Sequence, residues 1–232
     1  WQNAVDALEK AHLLAKSGDL YHRFFLAMAY WQLHEVEKAR LCFQEALAHW
    51  HEKKRNSKQL TRFRDEAQEL LGLAAKDPES LLVEHYGQVI KRDSKNWQAY
   101  RKRGDLFCEA EQWAKAMADY TEALQGGPQD GYLFNARSNC HYKLGKYEAA
   151  IEDSNKAIEL EPRSSWYIQR ANALTRLSRY EEAIADCNRA LELDPKNANA
   201  MVARSWARER QGEYQAAVAE IAAALKLRPS LS

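Results

Sequence analysis

Cysteine is sparse in this sequence. Cys42, Cys108, Cys140 and Cys187 are scattered through 232 residues, and no two share a CxxC spacing. A small domain stapled by disulfides needs a denser, paired pattern. The four are expected to be reduced, partly buried thiols, which points to a cytoplasmic chain. Long apolar runs are also missing: no stretch reaches the roughly 18 residues that a membrane helix requires, and no signal-peptide pattern is visible. Charge is nearly balanced, with 34 Lys and Arg against 33 Asp and Glu, so no global attraction draws the chain to nucleic acid or to anionic lipid. Catalytic signatures are absent too: there is no GxxxxGKS/T phosphate loop, no GxSxG elbow and no HExxH pair. His49 and His51 flank Trp50 without a third ligand nearby, which reads as histidine at a helix end rather than a metal site. No enzyme activity, cofactor or metal is expected.

Only five prolines are present, and their placement is regular. Pro128, Pro162, Pro195 and Pro229 lie 34, 33 and 34 residues apart. Small residues recur with them, at Ala116, Ala150, Ala183 and Ala217, then at Ala123, Ala157, Ala190 and Ala224. An aromatic precedes each first alanine, at Trp113, Tyr147, Tyr180 and Tyr214. A fixed period in this range marks a stacked-repeat architecture, in which each unit buries its apolar face on its neighbours. The clearest copy, Gly131 to Pro162, reads as two short amphipathic helices joined at Leu144-Gly145-Lys146. Sustained period-2 alternation is lacking, so no sheet is expected.

These residues resemble the tetratricopeptide repeat (TPR) family. The resemblance implies an all-α, right-handed superhelical solenoid of antiparallel helix pairs, whose function is to bind other proteins. Residues 96–232 are expected to hold four regular units, at 97–130, 131–163, 164–197 and 198–232. First helices are predicted near 97–110, 131–144, 164–177 and 198–211, and second helices near 113–126, 147–160, 180–193 and 214–227. Upstream, residues 1–17 read as the second helix of a truncated repeat, with Trp1, Ala4, Leu8 and Ala11 in the register of Tyr147, Ala150, Ser154 and Ala157. Residues 18–51 read as a TPR-like pair with Ala27, Tyr30, Ala39, Phe43 and Ala46 at key positions. Residues 52–95 read as a divergent pair with a basic start, its helices at 57–75 and 78–91 and its first member the longer. The start in mid-pattern at Trp1 suggests a piece of a longer protein. Residues 1–76 also resemble TPR segments of large multidomain bacterial proteins, through the phrases FFLAMAYWQLHEVEKAR and LTRFRDEAQELLGL.

Two sets of polar residues follow the period. Arg103, Arg137, Arg170 and Arg204 recur in the first helices, and Asp119, Asp153, Asp186 and Glu220 recur in the second helices at constant offset. A guanidinium fork meets a carboxylate bidentately, so the expected role is a ladder of structural ion pairs rather than a row of ligand-gripping cations. The resemblance implies a concave surface lined by first helices. It assigns Arg101, Asp105, Tyr132, Asn135, Asn139, Tyr142, Asn172, Arg176, Trp206 and Arg210 to partner binding. Amides can satisfy an extended peptide's backbone, and Tyr and Trp supply contact area at low entropic cost.

Some members of the family hold acidic chaperone tails in a carboxylate clamp, but the match fails here. Asp105 stands where an Asn is needed, Ala136 replaces a second Asn beside Asn135, and Ser165 and Gln169 replace a Lys and an Arg. The expected partner is a protein or peptide, or another domain of the same parent chain. An alternative reading is a regulatory or sensor segment of a larger bacterial enzyme of the kinase or protease type. The basic run Lys53–Arg64 is the only feature suited to nucleic acid, and it reads instead as a solvated junction. Val218, Ile221 and Leu225 on helix 214–227 suggest self-association.

Overall fold

The computed structural model describes residues 2–14, 20–53, 58–73 and 78–228. Among them are thirteen helices and no strand. They are α1 (Gln2–Leu14), α2 (Leu20–Gln32), α3 (Val36–Lys53), α4 (Lys58–Leu70), α5 (Pro78–Arg92), α6 (Trp97–Glu109), α7 (Trp113–Gly126), α8 (Gly131–Lys143), α9 (Tyr147–Leu160), α10 (Ser164–Arg176), α11 (Tyr180–Leu193), α12 (Ala198–Gln211) and α13 (Tyr214–Leu227). The chain divides into two compact units, residues 1–94 and 95–232.

One turn recurs throughout. One or two residues past the end of each first helix the backbone is left-handed: His34 (φ 61°), Gly72 (65°), Glu111 (55°), Gly145 (74°), Ser178 (60°) and Gly212 (91°). The next amide N–H then reaches back to the last turn of the helix, as Lys146 N–H does to His141 O at 2.9 Å and Arg179 N–H to Leu174 O at 3.0 Å. This satisfies a carbonyl that the helix end would leave open and reverses the chain in three residues. Only three of the six positions are glycine, so the turn is imposed at the others against the ordinary preference of an L-residue.

In the first unit, Ala27, Tyr30, Ala39, Phe43 and Ala46 are all buried between α2 and α3, and Phe24 tilts onto Phe43 with ring centroids 5.7 Å apart. Three features differ from the sequence reading. In α1, Ala4 is exposed and Val5 is buried, so the register drawn from Trp1, Ala4, Leu8 and Ala11 shifts by one residue. The reason is that α1 has only α2 to pack on among the described residues, and Val5 is the side chain that turns toward it. Trp1 and the side chain of Ala11 lie outside the described residues.

Helix α4 stops at Leu70 instead of running to 75, and the start expected at residue 57 lies outside the described residues. Gly72 ends it: Leu73 N–H reaches Gln68 O at 2.9 Å in the same left-handed turn that ends the other first helices. The divergent pair is not a regular hairpin either. Helix α4 lies on α2 and α5 lies on α3, with no comparable contact between α4 and α5. Ala67, Leu71, Leu81 and Leu82 are buried in these contacts.

In the second unit, α6 to α13 form four successive antiparallel pairs, and each second helix also packs on the next first helix. Asn96, Asp130 and Asn197 cap α6, α8 and α12, each accepting a backbone N–H of the first turn with its side chain. The alanines at 116, 123, 150, 157, 183, 190, 217 and 224 are all buried, and their small size lets the helices approach. Gly131 serves the same end: a Cβ there would meet the Trp166 ring at 2.6 Å.

Across each pair runs an ion pair. Arg103 donates from Nε and Nη2 to the two oxygens of Asp119 at 2.7 Å each. Arg137 does the same to Asp153 at 2.8 Å, and Arg170 to Asp186 at 2.8 and 2.6 Å. Arg204 Nε donates to Glu220 at 2.8 Å, where Arg208 joins it. The acids are almost wholly buried. The remaining guanidinium nitrogen reaches back one repeat: Arg137 Nη1 donates to Thr121 at 3.3 Å, Arg170 Nη1 to Asn155 at 2.7 Å, and Arg204 Nη1 to Asn188. One arginine thus bonds its own second helix and the one before it.

Replacing Arg170 by Met strands the Asp186 carboxylate in a buried site, and breaking such a pair costs about 3–5 kcal/mol. The double variant Arg170→Met, Asp186→Leu removes both charges and is expected to recover most of that loss. Urea denaturation of the three proteins measures it; equal stability of the single variant and the parent would contradict the arrangement.

Candidate functional site

First helices line one wall of the second unit. Helix α8 touches α10, and α10 touches α12, whereas α7, α9, α11 and α13 make no comparable contact with one another. Elements that crowd on one side and splay on the other curve toward the crowded side. The first-helix wall is therefore the inner one, and all ten residues assigned above to partner binding lie on these helices.

At the α6–α8 end the wall is filled by its own side chains. Asp105 Oδ1 accepts the hydroxyls of Tyr120 at 2.8 Å and Tyr132 at 2.9 Å. Tyr120 is buried, and Tyr132 lies under the Arg101 guanidinium, 4.3 Å from the ring centroid. Both phenols are held above the ordinary tyrosine pKa, first by burial and then by the Asp105 charge, so they remain donors at any physiological pH. Arg101 also lies 3.8 Å from Asp130. Beside this network, Cys108 Sγ sits 3.6 Å from Cys140 Sγ. Asp105, Tyr132 and Arg101 are thus brought together, but with one another, and Asn135 is half-buried with its Oδ1 enclosed and unbonded.

Toward α10 and α12 the wall opens. Asn139 and Asn172 are half-buried. Tyr142 packs edge-on against Tyr147 with centroids 5.6 Å apart, and its hydroxyl accepts from Arg176 Nε at 3.3 Å. Beyond them lies a cavity of about 430 Å³ lined by Thr175, Arg176, Ser178, Tyr180, Trp206, Glu209 and Arg210. Three of the residues picked from sequence, Arg176, Trp206 and Arg210, meet here although α10 and α12 are separate helices. Trp206 is 55% exposed, unusual for an indole. Sequence reasoning missed Tyr180, which was read only as the opening residue of a second helix, and Ser178, whose left-handed backbone carries Tyr180 to the rim.

A second, apolar groove lies on the far side of α13, bounded by Trp206, Tyr214, Val218, Ile221 and Leu225. The equivalent groove on α11, at Ile184 and Cys187, receives Ala203 and Ala207 of α12. In the first unit two cations of the basic run, Arg62 and Arg64, are engaged, and the side chains of Lys53 and Lys58 lie outside the described residues. Arg62 pairs with Glu66 at 2.6 Å, and Arg64 pairs with Asp65 and stacks over Trp50 at 4.7 Å. Lys54 and Arg55 lie outside the described residues. Among the described residues no helix is long and apolar enough to cross a membrane, and no group of three His, Cys, Asp or Glu is placed to hold a metal ion.

Stacked helix pairs, a repeating arginine clamp and a curved first-helix wall define a helical-repeat protein of the superhelical class. Residues 83–197 consist of tetratricopeptide repeats: models of that family match residues 83–131, 131–164 and 165–197. It is 27% identical over 95 residues to Hsp70-Hsp90 organizing protein 2 of Arabidopsis thaliana, a match covering 38% of this chain and 17% of that protein. The chain spans less than a fifth of the first curated relatives it matches. Its fold is similar to that of MamA, with a TM-score of 0.62 over 67% of this chain and 92% of that one at 17% identity. It is also similar to YrrB, with a TM-score of 0.54 over 97% of this chain and 94% of that one at 19% identity.

Asp105 can be tested as an internal brace. Asp105→Ala leaves the buried Tyr120 hydroxyl with only the weak Cys108 sulfur as acceptor and is expected to cost about 1–3 kcal/mol, whereas Asp105→Asn keeps a carbonyl oxygen there and is expected to lose less. Thermal unfolding of the two variants distinguishes them; equal, negligible losses would remove the brace.

Proposed function

We propose that this chain is a protein-interaction scaffold that captures an extended peptide on its first-helix wall, at the cavity between α10 and α12, and that it performs no catalysis itself. The observation that carries this is the convergence of Arg176, Arg210 and the exposed Trp206 on one cavity of about 430 Å³. An indole offers a rigid apolar anchor, and two guanidiniums offer planar forks for carboxylates. Glu209 on the rim and the nearby amides Asn139 and Asn172 suit peptide N–H groups. The peptide that fits has an apolar side chain for Trp206 and an acidic group for the arginines. Asp105, braced between two phenols at the other end of the wall, repels such a group there, so the acid belongs at the α10–α12 end.

Support also comes from the relative described by its name as an organizing protein for Hsp70 and Hsp90. The carboxylate-clamp positions here differ from that use. Asp105 is engaged by tyrosines, and Gln169 is half-buried with its Nε2 enclosed and unbonded. The partner is therefore a peptide of a different acidic pattern, from another protein or from another domain of a parent chain. A cytoplasmic setting is consistent with four free cysteines. The apolar groove on α13 gives a second contact. It continues the stacking surface that α12 occupies on α11, and it suits an amphipathic helix with small residues on its inner face.

Peptides selected against the whole chain by display should combine an acid with an apolar residue. In fluorescence anisotropy, Trp206→Ala and Arg210→Glu are each expected to weaken them at least tenfold, a loss of about 1.4 kcal/mol or more. Selected peptides that bind both variants as tightly as the parent would overturn the assignment.

A further inference from the structure

We propose that Cys108 and Cys140 form a modification site: a reversible disulfide, made by a peroxide, that locks α6 to α8. The two sulfurs are 3.6 Å apart although 32 residues separate them in sequence. A disulfide needs about 2.05 Å between sulfurs, so closure requires a shift of the order of 1.5 Å, within reach of small side-chain rotations.

The two thiols are differentiated. Cys108 is half-buried on the last turn of α6, and Cys140 is wholly buried in α8. Around Cys108 Sγ stand Cys140, the Tyr120 hydroxyl at 3.5 Å, and the carboxylates of Asp105 and Glu109 on its own helix, with Tyr132 beyond Asp105. The hydrogen bond from the Cys140 thiol lowers the Cys108 pKa to about 7, with Tyr120 helping and burial and the two carboxylates opposing. Cys140 is pushed up in turn, chiefly by that same bond. Tyr132 shares the task of bonding Asp105, which leaves the Tyr120 hydroxyl able to turn toward a Cys108 thiolate. Cys187, by contrast, is buried and pushed up to about 12 by burial.

The chemistry balances in two steps. The Cys108 thiolate attacks one peroxide oxygen, forming an S–O bond as the O–O bond breaks, and hydroxide leaves and takes up a proton. The Cys140 thiol then attacks the Cys108 sulfur, forming the S–S bond and breaking the S–O bond, and its own proton leaves with the hydroxide as water. Two thiols lose two electrons, and the peroxide is reduced to two waters. The bond ties the helix that carries Asp105 to the helix that carries Tyr132, so oxidation stiffens one end of the inner wall.

The test uses the whole chain, reduced and then treated with hydrogen peroxide. After alkylation and trypsin digestion, mass spectrometry should find peptide 104–115 joined to peptide 138–143, and dithiothreitol should separate them. Cys42 and Cys187 should remain alkylatable at peroxide levels that close the pair. In Cys140→Ser, Cys108 should instead be trapped as a sulfenic acid by dimedone. In the parent protein, the pH midpoint of Cys108 alkylation should lie near 7 and rise in Cys140→Ser. A joined peptide that is absent while Cys42 or Cys187 oxidises would overturn the proposal, as would an alkylation midpoint that Cys140→Ser leaves unchanged.

Discussion

In the second unit, a buried carboxylate in every helix pair has to be matched, and the arginine that matches it sets much of the geometry. Asp119, Asp153, Asp186 and Glu220 lie where water scarcely reaches, and a charge in such a place is tolerated only with full hydrogen bonding. A lysine would offer one compact charge. Arginine offers a planar fork with a third nitrogen to spare, and that nitrogen bonds the preceding repeat through Thr121, Asn155 or Asn188. Such pairs add little net stability over an apolar substitute. They allow only one angular relation between consecutive hairpins, however, and the curvature of the wall follows from that relation repeated.

The curved wall is uneven in what it offers. Near α6 and α8 its polar groups are spent on one another: the Asp105 carboxylate on two phenols, the Arg101 guanidinium on a ring, one thiol on another. Near α10 and α12 the counterpart of Asp105 is Asn172 and then Trp206, and the wall turns outward to solvent. A single structural position in the repeat is therefore an internal brace at one end and an exposed indole at the other. Repetition of the backbone fixes where a side chain points, and its chemistry is then free to vary.

Much of the regular half was legible in the sequence. The alanine spacing and the arginine–acid offset both concern contacts within one hairpin or between consecutive ones, and these repeat whenever the period does. The less regular half was harder. The end of α4 at Gly72 was available as a signal but was overridden by an apolar stripe that continued past it. The burial of Val5 rather than Ala4, and the seating of α4 on α2 and α5 on α3, depend on which neighbour each helix meets. Tyr180 at the cavity rim was read only as the residue that opens a second helix, and Ser178 was not singled out, because nothing in their spacing shows that a cavity lies beside them.

The sequence alone determined the kind of object this is. A 33- to 34-residue period of small and aromatic positions can bury its apolar faces only by stacking hairpins, and stacked hairpins produce a curved wall. Only the tertiary structure decided which side chains on that wall are free and which are consumed, and that Cys108 lies against Cys140. Those outcomes turn on distances of a few ångströms between helices of different repeats. Such distances are set by the rotation from one hairpin to the next, a quantity that the order of residues along the chain does not display.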